Sequence, residues 1–300
     1  RWAALELTTN EKYNDSIQAY AAGVAEAAVS EQLVYMHWMN TMVSYCGPFT
    51  YWMDYCQKLK NYIEANLNWM EEQMEQAGMD SAYWYQVSLE TTIGNNNNKL
   101  WKFIKPDNSV LEWLRNIVAN RLARTGAEWA TIFEKFNSGT YFQDIFNTSG
   151  LPALVQKYGD WFTYEKTPRA QIFRRNQTLI RDMDSMIRLM RFNNFPQDPL
   201  SQCQGCNPPQ NGENAIAARS DLNPANGTYP FGALYQRRHG GTDMKVTSFE
   251  MMKNYSFLAA SGPTWDNLPP FQWSSSPFCN ISHMGQPDLW KFSPIQIHWD

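Results

Sequence analysis

The amino-acid sequence predicts an α+β protein, in which helices and strands mix without forming regular strand–helix–strand units. Apolar residues recur at helical spacing in residues 13–39 and in residues 50–77. Short strand patterns occur at residues 87–93 and 295–299, the second with alternating apolar and polar side chains. Because the two kinds of element do not alternate regularly, a layered α+β domain is expected rather than a parallel sheet.

The N-terminal part is predicted to form two long helices separated by a turn at Cys46-Gly-Pro. The first, residues 13–39, carries an approximate apolar stripe: Ile17, Ala21, Val24, Ala28 and Leu33. The second, about Thr50 to Ala77, has apolar residues at the same spacing and a plausible stop at Gly78. These two helices would make residues 13–77 almost entirely helical.

Start signals mark the helices that follow the strand at residues 87–93. Ser109-Val-Leu-Glu112 is predicted to open a helix to about Leu122, and Thr125-Gly-Ala-Glu128 one to Phe136, because both match the capping box. Pro168 at a first helical turn is predicted to begin a long helix. Its buried stripe would be Phe173, Ile180, Met183, Ile187 and Met190, and its opposite face would carry Arg174, Arg175, Arg181, Arg188 and Arg191.

The amino-acid composition changes at Pro196, and Pro, Gly and Asn dominate from there to His239. We expect a long loop region that is anchored by three aromatic residues, Tyr229, Phe231 and Tyr235. Residues 243–251 are predicted to form a strand and a turn. The alternation at residues 295–299 predicts a half-buried strand near the C-terminus.

Composition narrows the functional class. The 300 residues suit one large domain or two ordinary ones, and 13 Trp, 15 Tyr and 16 Phe supply a sizeable core. The net charge of -4 gives no basic surface for nucleic acid. No apolar run is long enough for a transmembrane helix. Since the chain opens at Arg1 in a strand-like pattern, we expect the full protein to begin upstream.

The standard motifs of catalytic and cofactor sites do not occur in the sequence. It has no G-x-S-x-G, H-E-x-x-H, P-loop or G-x-G-x-x-G pattern. The four histidines, at positions 37, 239, 283 and 298, have no partner at metal-ligand spacing. No metal and no cofactor are therefore expected.

The five cysteines admit several interpretations. Cys203-Gln-Gly-Cys206 could bind zinc, exchange disulfides or form a small structural disulfide. A zinc site needs a second pair and a redox motif needs a strand feeding a helix, so the structural disulfide is favoured. Cys46 and Cys56 flank the Gly-Pro turn and would either form a disulfide between two helices or remain buried thiols. Cys279 is left over.

Six N-x-[ST] sequons indicate N-glycosylation and hence an oxidising lumen, in agreement with disulfides. The asparagines of these sequons are Asn14, Asn147, Asn176, Asn226, Asn254 and Asn280. Spacing alone marks no catalytic residue. Arg169 would be an ordinary solvated arginine at a helix start, and Thr91-Thr92 would be ordinary strand residues.

Several blocks of sequence closely resemble the phospholipase B-like family, and together they cover nearly the whole chain. These blocks are Tyr13–Gly23, Val34–Asn40, Leu89–Asn95, Phe136–Tyr141, Pro168–Asn176, Ala218–Pro224 and His283–Trp290. The resemblance implies an N-terminal-nucleophile hydrolase with a four-layer αββα sandwich. Its nucleophile would be a cysteine that internal cleavage exposes, and the free α-amino group, whose pKa is near neutrality, would serve as base.

The resemblance also assigns individual residues. It places Thr92 and Arg169 in the catalytic pocket, where a guanidinium holds a phosphate or carboxylate or stabilises an oxyanion. It pairs Cys46 with Cys56 and Cys203 with Cys206. It implies a glycoprotein of the lysosome lumen that a sorting receptor delivers. Such a protein would hydrolyse amide or ester bonds of a small-molecule or lipid substrate, phospholipid acyl esters among them.

This sequence departs from the family pattern at two junctions, which divide it unevenly. After Val87 the family continues with a stretch carrying a Gly-x-Cys-Ser nucleophile motif, whereas Ser88 follows here. After Tyr141 the family continues with further strands, whereas Phe142 follows here. We therefore expect a single domain, 1–300, from which parts of the sheets are missing. Residues 1–87 correspond to the smaller chain of the cleaved family member and residues 88–300 to the larger. The alternative function is a lumenal lipid-binding or carrier protein without catalysis.

Overall fold

The structure, a computed structural model, describes residues 5–46, 54–76, 105–107, 109–136 and 151–299. The chain divides into two compact units, one of residues 5–152 and one that contains residues 153–300. The predicted strand at residues 87–93 lies outside the described residues. The described part combines helices with small antiparallel sheets, which agrees with the α+β class.

The N-terminal unit is helical in its described residues, as predicted. Its helices are α1 (Asp15–Thr41), α2 (Val43–Cys46), α3 (Asp54–Gln76), α4 (Glu112–Leu122) and α5 (Gly126–Phe133). Helix α1 begins where the Asn14 side chain accepts a hydrogen bond from the Ile17 amide at 3.0 Å. None of its residues is buried, so its apolar stripe stays about half exposed.

A disulfide and buried hydrogen bonds connect the helices of this unit to each other and to the segment before α4. Cys46 and Cys56 form a disulfide and are both buried, which links α2 to α3. The buried Asn66 of α3 donates to the carbonyl oxygens of Pro106 at 2.6 Å and Ser109 at 2.9 Å. Because a buried amide is costly to leave unpaired, these contacts fix the segment before α4 against α3.

The capping box predicted at Ser109 is wrong, whereas the helix start predicted at Thr125 is confirmed. Leu111 is the N-cap of α4 and provides no side-chain cap, because Ser109 instead donates to the Lys105 carbonyl at 2.8 Å. Thr125 does cap α5, and its hydroxyl accepts from the Glu128 amide at 3.2 Å. Helix α5 ends at Phe133, three residues earlier than predicted.

The C-terminal unit contains α6 (Leu151–Tyr158), α7 (Pro168–Asn176), α8 (Met183–Met190) and α9 (Phe249–Lys253). The predicted long helix from Pro168 is interrupted, since a 3-10 turn at Gln177–Leu179 separates α7 from α8. Asp182 starts α8 anew by accepting from the Ser185 amide at 2.8 Å, while Ser185 accepts from the Asp182 amide at 3.0 Å. This local cap competes successfully with a continuous helix.

The strands β1 (Asp243–Val246), β2 (Ser256–Ser261) and β5 (Ile295–His298) form a three-stranded antiparallel sheet with β2 in the middle. One of the buried apolar clusters of this unit lies on this sheet. Met244 pairs with Ala260, and Met183, Met186 and Ile187 of α8 pack on this face. The strand near the C-terminus is thus confirmed. The strand predicted to begin at Asp243 is also present and ends at Val246, and the short helix α9 follows it where a turn was predicted. Strands β3 (Phe271–Gln272) and β4 (Leu289–Trp290) form a separate pair.

The Pro- and Asn-rich region is ordered by buried side chains, with only short 3-10 turns at Pro199–Ser201, Ser220–Leu222 and Gly232–Leu234. Asn211 and Asn223 are fully buried and both donate to the Leu234 carbonyl. Tyr229 is buried and its ring contacts that of Tyr235, while Phe231 packs on Trp161. The three aromatic anchors therefore act as predicted. No helix in the described ranges has the length and apolar content that crossing a membrane requires.

Candidate functional site

A cavity of about 190 Å³ lies in the C-terminal unit. Its walls come from α7, the end of α8, residues 216–217, strand β1 and the segment after β2. The lining residues are Arg169, Phe173, Met190, Arg191, Ile216, Ala217, Gly241, Asp243, Met244, Gly262 and Thr264. The cavity is smaller than the roughly 300–1,000 Å³ of drug-sized ligand pockets, so it accommodates a small group rather than a whole lipid.

Arg169 reaches this cavity because the start of α7 is fixed. Thr167 caps the helix by accepting from the Ala170 amide at 3.2 Å, and the fully buried Ile172 anchors its inner face. Arg169 donates from Nε to the Ala215 carbonyl at 3.3 Å and from Nη2 to the Ile216 carbonyl at 2.9 Å. No described residue accepts from Nη1, so this nitrogen remains available to a ligand.

Thr264 contributes a hydroxyl that is unusual for its environment. The residue is 2 % exposed and its Oγ1 has no hydrogen-bond partner in the described part of the chain. Its carbonyl oxygen, in contrast, accepts from Nη1 of the buried Arg219 at 2.6 Å. The backbone of Thr264 is thus held firmly while its side chain is left with unused hydrogen-bonding capacity.

The segment around Thr264 is held at further points. Arg191 is 4 % exposed and donates to both carboxylate oxygens of Asp266 at 3.0–3.1 Å. Gly262 has φ +85°, and a Cβ there would lie 2.6 Å from the Trp290 ring, so only glycine fits. The prediction that Arg191 lies on an exposed arginine face is therefore wrong, because Asp266 draws it into the interior.

Asp243 brings the one carboxylate that lines this cavity within the described residues. It forms an ion pair with Lys245, two residues along β1, so its charge is partly compensated. The cavity is thus lined by two guanidinium groups, those of Arg169 and Arg191, whose Nη1 atoms donate to no described residue, and by one hydroxyl without a described partner, one paired carboxylate and an apolar wall. This combination is suited to binding a small polar group attached to an apolar one.

The described lining residues include no cysteine and no histidine. A hydroxyl such as that of Thr264 needs an adjacent general base to act as a nucleophile, and no imidazole or amine lines the cavity with it in the described part of the chain. Nor do three His, Cys, Asp or Glu side chains come together as a metal site in this part of the chain. These residues can bind and polarise a substrate, but they do not supply the attacking group.

A second polar cluster surrounds Glu213 in the same unit. Its carboxylate accepts from Ser220, accepts from Arg237 Nη2 at 3.2 Å and lies 2.9 Å from His239 Nδ1. Burial raises the pKa of the Glu213 carboxyl, but the hydrogen bonds from His239 and Ser220 outweigh burial and leave the pKa below its usual value. Since Ser220 is fully buried, its hydroxyl is not accessible to a substrate. The cluster fastens the loop region.

Those of the other predicted site residues that the structure describes do not line this cavity. Thr92 lies among residues 77–100, outside the described residues, so its place beside Arg169 stays a prediction. Cys203 and Cys206 form the second predicted disulfide, and Cys279 is free and exposed. Asn147 is also outside the described residues, whereas Asn14, Asn226, Asn254 and Asn280 are exposed and Asn176 is half-buried. Thr264 and Asp243 carry no local sequence signal, because only the fold brings them to Arg169.

Comparison with known proteins identifies relatives over the whole chain. A family model described as phospholipase B matches residues 1–89, 86–143 and 140–297. The Homo sapiens protein named "Putative phospholipase B-like 2" is 41% identical over 493 positions, which cover 100% of this chain and 84% of that protein. Its Mus musculus counterpart is 40% identical over 100% of this chain and 83% of its own length. "Phospholipase B-like protein B" of Dictyostelium discoideum is 35% identical over 70% of this chain and 44% of that protein.

The alignment with the human protein spans 493 positions although this chain has 300 residues, so a substantial part of that protein lies opposite gaps. The three family matches meet at residues 86–89 and 140–143. These positions coincide with the Val87–Ser88 and Tyr141–Phe142 junctions at which the sequence departs from the family pattern.

Proposed function

We propose that this chain, which belongs to the phospholipase B family, has the function of a lumenal hydrolase of amide or ester bonds, phospholipid acyl esters among them. The observation that carries the proposal is the position of Arg169. The family resemblance assigns this residue to the catalytic pocket, and it lines a cavity with Nη1 unpaired among the described residues. Such a guanidinium stabilises negative charge on a phosphate or on a developing oxyanion.

In this proposal the attacking group is the thiol of a cysteine that internal cleavage places at a new chain terminus. The α-amino group of that cysteine takes the thiol proton, and the thiolate adds to the substrate carbonyl. The alcohol or amine of the substrate then leaves with that proton, which gives a thioester, and water hydrolyses the thioester to release the carboxylic acid and regenerate the thiol. This cysteine would lie in a segment that relatives carry between the positions of Val87 and Ser88. Thr92, five residues from that junction, would complete the pocket opposite Arg169.

The proposed fold is the four-layer αββα sandwich of N-terminal-nucleophile hydrolases, as one domain made of the parts 1–87 and 88–300. It is supported by the packing of α8 on β1, where Met186 and Ile187 contact the cluster of Met244 and Ala260. A helix layer on an antiparallel sheet corresponds to two of the four layers. The second sheet and its helices would need strands from the family segments at the two junctions.

The proposed compartment is the lysosome lumen, which the protein would reach as a glycoprotein through a sorting receptor. The two disulfides support an oxidising compartment on the route. The sequons at Asn226, Asn254 and Asn280 are exposed, as glycan attachment requires. No cofactor enters the proposed mechanism.

A carrier protein without catalysis is the second candidate, and a specific observation favours it. The described residues that line the cavity include no thiol and no imidazole, and the chain runs from Val87 directly to Ser88. A cavity with these described lining residues can bind a polar group but supplies no thiol to attack it.

The deciding experiment uses protein purified from its native cells. Intact-mass measurement and N-terminal sequencing are combined with an assay of fatty-acid release from a lysophospholipid at acidic pH. A chain break with cysteine at a new N-terminus, together with release of fatty acid, supports the hydrolase. One uncleaved chain that binds the lysophospholipid without turnover contradicts it and supports the carrier.

A further inference from the structure

The hydroxyl of Thr264 is the feature of the cavity that its local structure leaves unexplained. A buried hydroxyl without a hydrogen-bond partner destabilises the folded protein, so such groups are rare in folded proteins. Thr264 is 2 % exposed, lines the cavity and has no partner for Oγ1 among the described residues. A ligand that hydrogen-bonds this oxygen would remove the penalty.

The surroundings of Thr264 keep the hydroxyl in one place. Arg219 holds its carbonyl oxygen at 2.6 Å, and the guanidinium of Arg219 is itself fixed by Asp221 at 2.8–2.9 Å. Two residues further, Asp266 is held by Arg191. Because the backbone is fixed on both sides, Thr264 loses little conformational entropy when it binds a ligand.

Arg169 supplies the complementary charge on the same cavity. Its Nε and Nη2 are held by the carbonyl oxygens of Ala215 and Ile216, and Nη1 is left for a ligand. A guanidinium N–H makes a strong, charge-assisted hydrogen bond to a phosphate oxygen, and a hydroxyl can donate a further hydrogen bond to another oxygen of the same group. The volume of about 190 Å³ suits such a head group and excludes two acyl chains.

We infer that Thr264 is a specificity-determining residue, whose hydroxyl and Arg169 Nη1 together bind the phosphate group of the substrate. This inference rests on the proposed function, since it names which part of a phospholipid occupies the cavity. Asp243 lines the same cavity and can accept a hydrogen bond from an amine attached to the phosphate. The site would therefore bind a phosphate ester of an amino alcohol better than inorganic phosphate.

Two probes distinguish free phosphate from a phosphate ester of an amino alcohol. They are inorganic phosphate and glycerophosphoethanolamine, and the affinity of each is measured by titration calorimetry. The test compares wild-type protein with Thr264→Val, which replaces the hydroxyl by a methyl group of the same shape, and with Thr264→Ser, which keeps the hydroxyl. Thr247→Val is the matched control, because Thr247 lies in the same unit outside the cavity and its hydroxyl donates to the Ser256 carbonyl at 2.8 Å.

The expected result is one-site binding of glycerophosphoethanolamine that Thr264→Val weakens by roughly tenfold or more and Thr264→Ser retains. Thr247→Val should leave the affinity unchanged. The unfolding midpoint of Thr264→Val should equal or exceed that of wild type, because the substitution removes an unpaired buried hydroxyl. If Thr264→Val does not fold, Thr264→Ala is titrated instead.

Wild-type affinity in Thr264→Val, or no binding of either probe to wild-type protein, would overturn the inference. Equal affinity for both probes would restrict the site to the phosphate and remove the role of Asp243. The outcome is independent of catalysis. If the wild-type protein has no turnover but Thr264→Val no longer binds the probe, the inference is supported and the hydrolase function is contradicted. If the wild-type protein has turnover and Thr264→Val binds the probe with wild-type affinity, the hydrolase function is supported and the inference is contradicted.

Discussion

Arg169 Nη2 donates a hydrogen bond to the carbonyl oxygen of Ile216 at 2.9 Å. This contact fastens the guanidinium to the backbone that forms the opposite edge of the cavity, and a second one, to Ala215, fixes its plane. The side chain is therefore positioned before any ligand arrives. Much of the entropic cost of binding a charged group with a flexible side chain is avoided in this way.

The first prediction concerns this positioning. Arg169→Lys keeps the charge but cannot make both backbone contacts and still offer a nitrogen to a ligand, because an ammonium is a point donor rather than a planar fork. We expect affinity for glycerophosphoethanolamine to fall roughly tenfold in Arg169→Lys and further in Arg169→Met, as measured by titration calorimetry. Arg238→Met is the control, since Arg238 is exposed and does not line the cavity. Equal affinities in Arg169→Met and Arg238→Met would show that the cavity does not bind through Arg169.

The second prediction concerns Arg219, whose side chain is 1% exposed. It donates to the carbonyl oxygens of Thr264 and Pro269 and to both oxygens of Asp221. Arg219→Met would leave the Asp221 carboxylate and two carbonyl groups unpaired, so we expect a loss of about 3–5 kcal/mol in the free energy of unfolding. Urea unfolding followed by tryptophan fluorescence measures this loss. A loss below about 1 kcal/mol would mean that Arg219 does not hold the Thr264 segment.

The third prediction concerns the pH dependence of stability. The Asp198 side chain is 3% exposed and binds Arg175 through two hydrogen bonds of 2.6 and 2.8 Å. The bonds from Arg175 hold the pKa of the Asp198 carboxyl below its usual value. Since the folded pKa lies below the unfolded value of about 3.9, the stabilisation is complete above that value and is lost as the pH falls through the folded pKa.

Asp198→Asn tests this directly, because asparagine cannot ionise. The difference in unfolding free energy between wild type and Asp198→Asn should stay constant from neutral pH to about pH 5 and shrink below about pH 4. The acidity of a lysosome would then leave this contact intact. A difference that does not change down to strongly acidic pH would contradict the account of the Asp198–Arg175 pair.

The fourth prediction concerns glycosylation. Asn226, Asn254 and Asn280 are exposed, whereas Asn176 is half-buried and its side-chain oxygen accepts from Arg175 Nε at 2.8 Å. A glycan at Asn176 would have to fit against a side chain that already holds Asp198. We expect the lowest occupancy at Asn176 among these four sites, measured by peptide mass spectrometry after enzymatic deglycosylation in heavy-oxygen water. Full occupancy at Asn176 with empty sites at the other three would contradict this.

Local patterns in the sequence predicted much of the helical structure and favoured the Cys203–Cys206 disulfide, whereas the pairing of Cys46 with Cys56 was implied by the family resemblance. Periodicity located α1 and α3 within a few residues, because a helix is specified by neighbours three and four positions apart. The stripe from Phe173 to Met190 suggested one helix, since the apolar spacing continues across the break. The cap at Asp182, which starts a second helix, was not predicted.

The site could not be predicted to the same extent, because its contacts are long-range. The sequence pattern assigned Arg191 to the arginine-rich face of the helix, but in the structure it pairs with Asp266, which lies 75 positions along the chain. Thr264 gains its fixed backbone from Arg219, 45 positions away. Arg169 was identified through family resemblance, and its two acceptors lie 46 and 47 positions along the chain. No local pattern encodes such pairs.

The central claim, that the cavity beside Arg169 binds the phosphate-bearing part of the substrate, is tested most directly by a crystal structure. Crystals of the protein would be soaked with glycerophosphoethanolamine and compared with unsoaked crystals. We predict density in the cavity with phosphate oxygens within hydrogen-bonding distance of Arg169 Nη1 and Thr264 Oγ1. A cavity that stays empty while the ligand binds elsewhere, or not at all, would contradict the claim.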